Sequence, residues 1–116
     1  MGDLVSRIRS LPEYRTAKTK VEVRLGSLKN KLGKLAISHA AYTNGGYDVA
    51  RAYYDNGVGT VAYIHISDGD LSKLRADGIG NMVVLGHIAS DWLGINPVLR
   101  ELERIGVEIL ATTDLH

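Results

Sequence analysis

The chain contains no cysteine in its 116 residues. Disulfides, thiolate nucleophiles and cysteine-ligated zinc are therefore excluded, and the composition fits a reducing compartment. No apolar run approaches the length of a membrane span, and no signal-like apolar stretch opens the sequence. The expected location is cytoplasmic, with no membrane partner. Aromatic residues are scarce where positive charge is dense: residues 1–34 hold nine Lys/Arg but one aromatic residue, Tyr14. Nucleic-acid surfaces gather basic side chains with stacking groups or a dedicated fold, so nucleic acid is not an expected partner. There is also no lysine-bearing phosphate loop and no dinucleotide-binding fingerprint.

What is present is ordinary globular composition, 45% hydrophobic and 23% charged, in a length suited to one modest core. The expectation is a single α/β domain over residues 1–116, with a basic N-terminal helical segment over 1–34. The net charge of +1 hides an asymmetry. Residues 1–34 balance to +6, and residues 35–116, with five Lys/Arg and ten Asp/Glu, to −5. Such a division suits a solvated surface or a contact between oppositely charged patches of two subunits.

Apolar spacing sets the expected elements. Leu4, Val5, Ile8 and Leu11 recur at helical spacing, and Pro12 ends that helix or opens a second turn running to Ala17. Val21, Val23 and Leu25 alternate with charged residues as in a half-exposed strand. From Leu35 onward strands alternate with helices. Strands are expected at Leu35–Ile37, within Val58–Ile66, at Met82–Leu85 and at Val107–Leu110. Helices are expected over Tyr47–Asn56, from Ser67 or Asp68 to Ala76, and after Gly86. Asn96 caps a new helix in that last region, or Pro97 kinks a continuous one. Strand–helix alternation with short connections predicts an α/β layer fold, a mostly parallel sheet flanked by helices.

The densest chemical signal is Gly86-His87-Ile88-Ala89-Ser90-Asp91, which follows an apolar strand. If the helix begins at once, His87 and Asp91 lie one turn apart on one face, where imidazole and carboxylate can reach one divalent ion. The same pair can instead serve only local hydrogen bonding at a helix start. His39 and His65 also follow expected strands, and the carboxyl ends of parallel strands form the crevice where ligands bind. The candidate metal ligands are therefore His87, Asp91, His65 and His39. His116 is terminal, and Asp68 and Asp70 read as helix-start residues. Thr43-Asn44-Gly45-Gly46 cradles an anion or is a plain loop. The neighbouring tyrosines line a small-molecule pocket or pack a core, and Trp92 shields the site or sits in a subunit contact.

The Gly86–Asp91 string, continued by Leu93-Gly94-Ile95-Asn96 and Leu99-Arg100-Glu101-Leu102, resembles the C-terminal signature of the Nif-three-like dinuclear-metal family. Tyr47-Asp48-Val49-Ala50, Gly57-Val58-Gly59-Thr60 and Ile64-His65-Ile66-Ser67 resemble the C-terminal half of that family, and Pro12-Glu13-Tyr14-Arg15 its longer form. The resemblance implies an α/β fold, a two-metal site in a cleft and a ring-shaped oligomer. Members are often labelled type 2 GTP cyclohydrolase-like or metal-dependent hydrolases. The family's signature histidine falls on His87, and its following carboxylate, usually Glu, falls on Asp91. The family's paired histidines and further acidic ligand belong to an N-terminal half, and this sequence has no His-His pair.

Two functions follow. The leading one is a divalent-metal-binding protein, with zinc, manganese or a similar ion, extending to metal-dependent hydrolysis of a small phosphate-containing or heterocyclic ligand. The alternative is a non-enzymatic oligomerising or binding module with a partial site. A homo-oligomer is expected in either case, because a sheet in so short a chain has limited cover.

Overall fold

The structure, a computed structural model, describes residues 1–38 and 45–111. His39, Thr43, Asn44 and His116, singled out above, lie outside the described residues. Nine elements follow in order: α1 (Gly2–Ser10), α2 (Pro12–Thr16), β1 (Glu22–Leu25), β2 (Lys34–Ser38), α3 (Gly46–Asp55), β3 (Val58–Tyr63), α4 (Asp68–Asp77), β4 (Asn81–Val84) and α5 (His87–Arg104).

The four strands form one sheet in the order β1-β4-β3-β2. β2, β3 and β4 are parallel, and β1 joins β4 antiparallel. This is the mixed, mostly parallel sheet that the strand–helix alternation predicts. β3 is central, and its Thr60, Val61, Ala62 and Tyr63 are all buried, which explains its unbroken apolar character. The chain steps across the sheet in one direction, β2 to β3 to β4, through α3 and then α4. Right-handed crossovers in a constant direction place both helices on the same face. Ala50, Tyr54 and Leu74 accordingly pack with Val61, Tyr63 and Met82 in one cluster. On the other face Met1, Val5, Tyr14, Ala17 and Ala89 pack with Val83.

Local chemistry fixes the helix ends. Leu11 is extended, as a residue before proline must be, and Pro12 opens α2. Ser67 caps α4 by accepting the Asp70 N–H at 3.1 Å, and Gly78 stops it in the left-handed conformation. At the amino end of the sheet Asn81 is a buried hub. Its Nδ2 donates to the carbonyls of Lys31 and Gly59, both at 3.1 Å, and its Oδ1 accepts from Asn30 at 2.8 Å.

One alternative is settled and one expectation is corrected. α5 is one continuous helix with Pro97 inside it, as the second alternative had it, so Asn96 caps nothing. Asn96 is buried and turned toward α2, where its Nδ2 donates to Glu13 Oε1 at 3.3 Å. Packing against α2 thus outweighs the local preference for a break. Val107–Leu110 is not a strand of the sheet. The Val107 N–H instead closes the end of α5 by donating to the Leu102 carbonyl at 3.0 Å, and Leu110 is 82% exposed. Its apolar residues suit a sheet, but no described strand borders it.

Candidate functional site

The site grows from two neighbouring strand ends. β3 and β4 stay paired beyond their last residues: the Leu85 N–H donates to the Tyr63 carbonyl at 2.7 Å, and the Gly86 N–H to the Ile64 carbonyl at 3.0 Å. The residues that follow, His65 and His87, are therefore held side by side. Their rings lie 5.6 Å apart between centroids, with planes 24° from parallel.

Gly86 makes the turn from strand to helix at φ +84°, a region unfavourable to any residue with a Cβ. A Cβ there would also stand 3.0 Å from Thr19 Cβ and Oγ1. Because α5 starts immediately at His87, Asp91 comes round one turn later, and His87 Nε2 stands 3.4 Å from Asp91 Oδ2. Both side chains are open to solvent, at 55% and 41% exposure. The start of α5 is pinned from below. Ser90 Oγ donates to the Gly86 carbonyl at 2.6 Å and lies 3.0 Å from the Tyr14 hydroxyl. Burial raises the pKa of that phenol above its ordinary value, with the Ser90 hydrogen bond working the other way.

The structure thus gathers three of the four sequence candidates, His65, His87 and Asp91. Among the described residues, no three His, Asp or Glu side chains are grouped to hold a metal ion. The described residues therefore do not fit a two-metal centre.

The other polar candidates have structural partners. Asp68 and Asp70 occupy the first turn of α4, the former 3.4 Å from Arg24 and the latter bound to Ser67. Tyr47 donates to Asp77 at 2.8 Å, Tyr54 to the Asn81 carbonyl at 2.7 Å and Tyr63 to the Gly46 carbonyl at 3.1 Å. Gly45 lies so near the Tyr63 ring that a Cβ would fall 2.5 Å from its Cζ. Close ring packing accounts for a glycine there. Trp92 is partly buried against the cluster beneath α1 and α2. Sequence reading missed the Tyr14–Ser90–Gly86 clamp; its one signal was that Tyr14 and Ser90 both fall in strings resembling the family.

No protein-family model and no curated protein matches the chain. Among solved structures, a NIF3 superfamily protein from Sphaerobacter thermophilus matches with a TM-score of 0.84 and 50% sequence identity over 92% of this chain. The chain belongs to the NIF3 superfamily. This agrees with the resemblance carried by the Gly86–Asp91 string. The match covers 39% of the Sphaerobacter chain, so this NIF3 chain corresponds to well under half of that protein's length. Within the NIF3 fold seen here, the His87–Asp91 pair sits at the carboxyl edge of the sheet, where α/β proteins place their ligands.

Proposed function

We propose that this chain is a NIF3-superfamily assembly module carrying a residual metal half-site, not a self-sufficient metal hydrolase. The observation that carries this reading is the size of the ligand set. His87 and Asp91 form a solvent-exposed pair beside the His65 ring, and among the described residues no group of three ligands could hold a metal ion. A divalent ion held by two side chains and otherwise by water binds weakly. His87 and Asp91 are the residues that would hold such an ion, with His65 beside them. The Tyr14–Ser90 clamp fixes where the pair stands but supplies no charge.

Metal-dependent hydrolysis is the second reading. One feature favours it: the chain brings three potential ligands to one sheet edge. It needs further ligands from outside the described residues, and a small phosphate-containing or heterocyclic substrate would then be bound between the two contributions. The module is expected to act as a homo-oligomer. None of the helices among the described residues is long and apolar enough to cross a membrane.

Calorimetric titration with zinc and with manganese separates the readings. The module reading expects at most one weak site per chain, abolished in His87→Ala. Two tight sites per chain, retained through dialysis, would overturn it in favour of the hydrolase.

A further inference from the structure

Among the described residues the sheet has two edge strands, β1 and β2, and β2 also carries an open apolar flank. The register Leu35–Thr60–Asn81 and Ile37–Ala62–Val83 places Leu35 and Ile37 on the face that α1, α2 and α5 cover elsewhere. Those helices stop short of β2. Leu35 is 38% and Ile37 68% exposed, the latter an unusual state for a β-branched residue on a parallel strand. Two adjoining hollows of about 160 and 260 Å³ open beside them and share Tyr14, Ile37, Leu85 and Leu93. Among the described residues β2 pairs with β3 alone. An edge strand of this kind is a template for a further strand.

The chain also carries a strand-like segment with no sheet partner. Val107-Glu108-Ile109-Leu110 is apolar at three of four positions and lies outside the sheet. Charge links the two features. Residues 29–38 include Lys29, Lys31 and Lys34 and no acidic residue, and none of these lysines makes an ion pair among the described residues. Residues 101–111 include Glu101, Glu103 and Glu108 against Arg104 alone. Arg104 is taken up by Glu101 at 2.6 Å, and among the described residues Glu103 and Glu108 pair with no cation.

We propose that residues 107–110 of one copy add as a strand to the free edge of β2 in a second copy. Val107 and Ile109 share one face of the added strand and extend the apolar row of Leu35 and Ile37 over the two hollows. Glu108 then lies near Lys34 of the copy that receives it. Main-chain bonds supply the affinity, and the alternating side chains supply the register. This rests on the assembly reading above and assigns its surface.

The test is sedimentation velocity on the full chain over a concentration series, for wild type, Ile109→Pro, Lys34→Glu, Glu108→Lys and the double charge reversal. All the substituted residues lie outside the two buried clusters, and circular dichroism checks that each variant folds. Wild type is expected to associate. Ile109→Pro, which lacks the N–H a ladder needs, should weaken association about ten-fold or more. Each single reversal should weaken it, and the double reversal should restore it. Amide exchange at residues 34–38 and 107–110 should slow together as concentration rises. A wild-type monomer throughout overturns both the assembly reading and this surface. Association unchanged by Ile109→Pro and by both charge reversals overturns this surface alone.

Discussion

Gly86 is the residue on which the site depends most. It supplies a left-handed turn where β4 becomes α5, and its hydrogen is all that fits against Thr19. Gly86→Ala should destabilise the fold by about 1–3 kcal/mol in urea unfolding, the usual range for a strained backbone position. Chemical shifts of His65 and His87 should move in the same variant, because the ring stack depends on where α5 begins. A loss under about 0.5 kcal/mol, within the range of an ordinary surface change, would mean the turn tolerates a side chain. Tyr63 offers a test by pH. Burial pushes its phenol up to about 12 from the ordinary value near 10. A raised folded pKa means the stability linked to this group is fully present below pH 10 and is lost as pH rises from about 10 to about 12. Tyrosinate absorbance from Tyr63 in the folded chain should therefore appear near pH 12 rather than near 10, and Tyr63→Phe should flatten that part of the stability curve. At this scale much of the site was legible. The i, i+4 spacing of His87 and Asp91 needed only a helix that starts at once. The orientation of the His65 ring was not legible, because strand pairing and packing set it. The Tyr14–Ser90 contact spans 76 positions and carries no local pattern.

Among the elements, α5 settles the alternative that Asn96-Pro97 left open. A proline inside a helix removes a ladder hydrogen bond and clashes with the preceding turn. Here the helix nevertheless runs unbroken from His87 to Arg104, held where Asn96 turns into α2. Pro97→Ala should restore the bond to the Leu93 carbonyl and raise stability, by up to about 3 kcal/mol on the helix-propensity scale. Thermal unfolding checks this, and a lower melting temperature would show that α5 needs the proline to meet α2. Helices α3 and α4 are joined by Asp77, which receives the Tyr47 hydroxyl and Arg51. These bonds hold its carboxyl below the ordinary range. Their contribution is present at neutral pH and is lost as pH falls through that lowered value. The existence and type of most elements followed from apolar patterning and helix-end residues, as in the apolar run of β3 and the Ser67 cap and Gly78 stop of α4. Val107–Leu110 failed because periodicity describes a surface fit for a sheet and says nothing about whether a strand lies beside it.

For the whole molecule, the sheet joins two apolar clusters, one under α3 and α4 and one under α1, α2 and α5, and leaves β2 uncovered. The chain also matches a minor share of its solved relative's length. The proposed assembly would set the basic residues 1–34 of one copy against the acidic residues 35–116 of another. The sequence carried the fold class through alternation and the family through the Gly86–Asp91 string. It could not carry which candidate ligands come together, which is decided only when two strand ends are paired. The most direct measurement is elemental analysis of protein purified without added metal, for wild type and His87→Ala. A residual half-site predicts far less than one divalent ion per wild-type chain and none above background in His87→Ala. Two ions per wild-type chain, lost in His87→Ala, would contradict it.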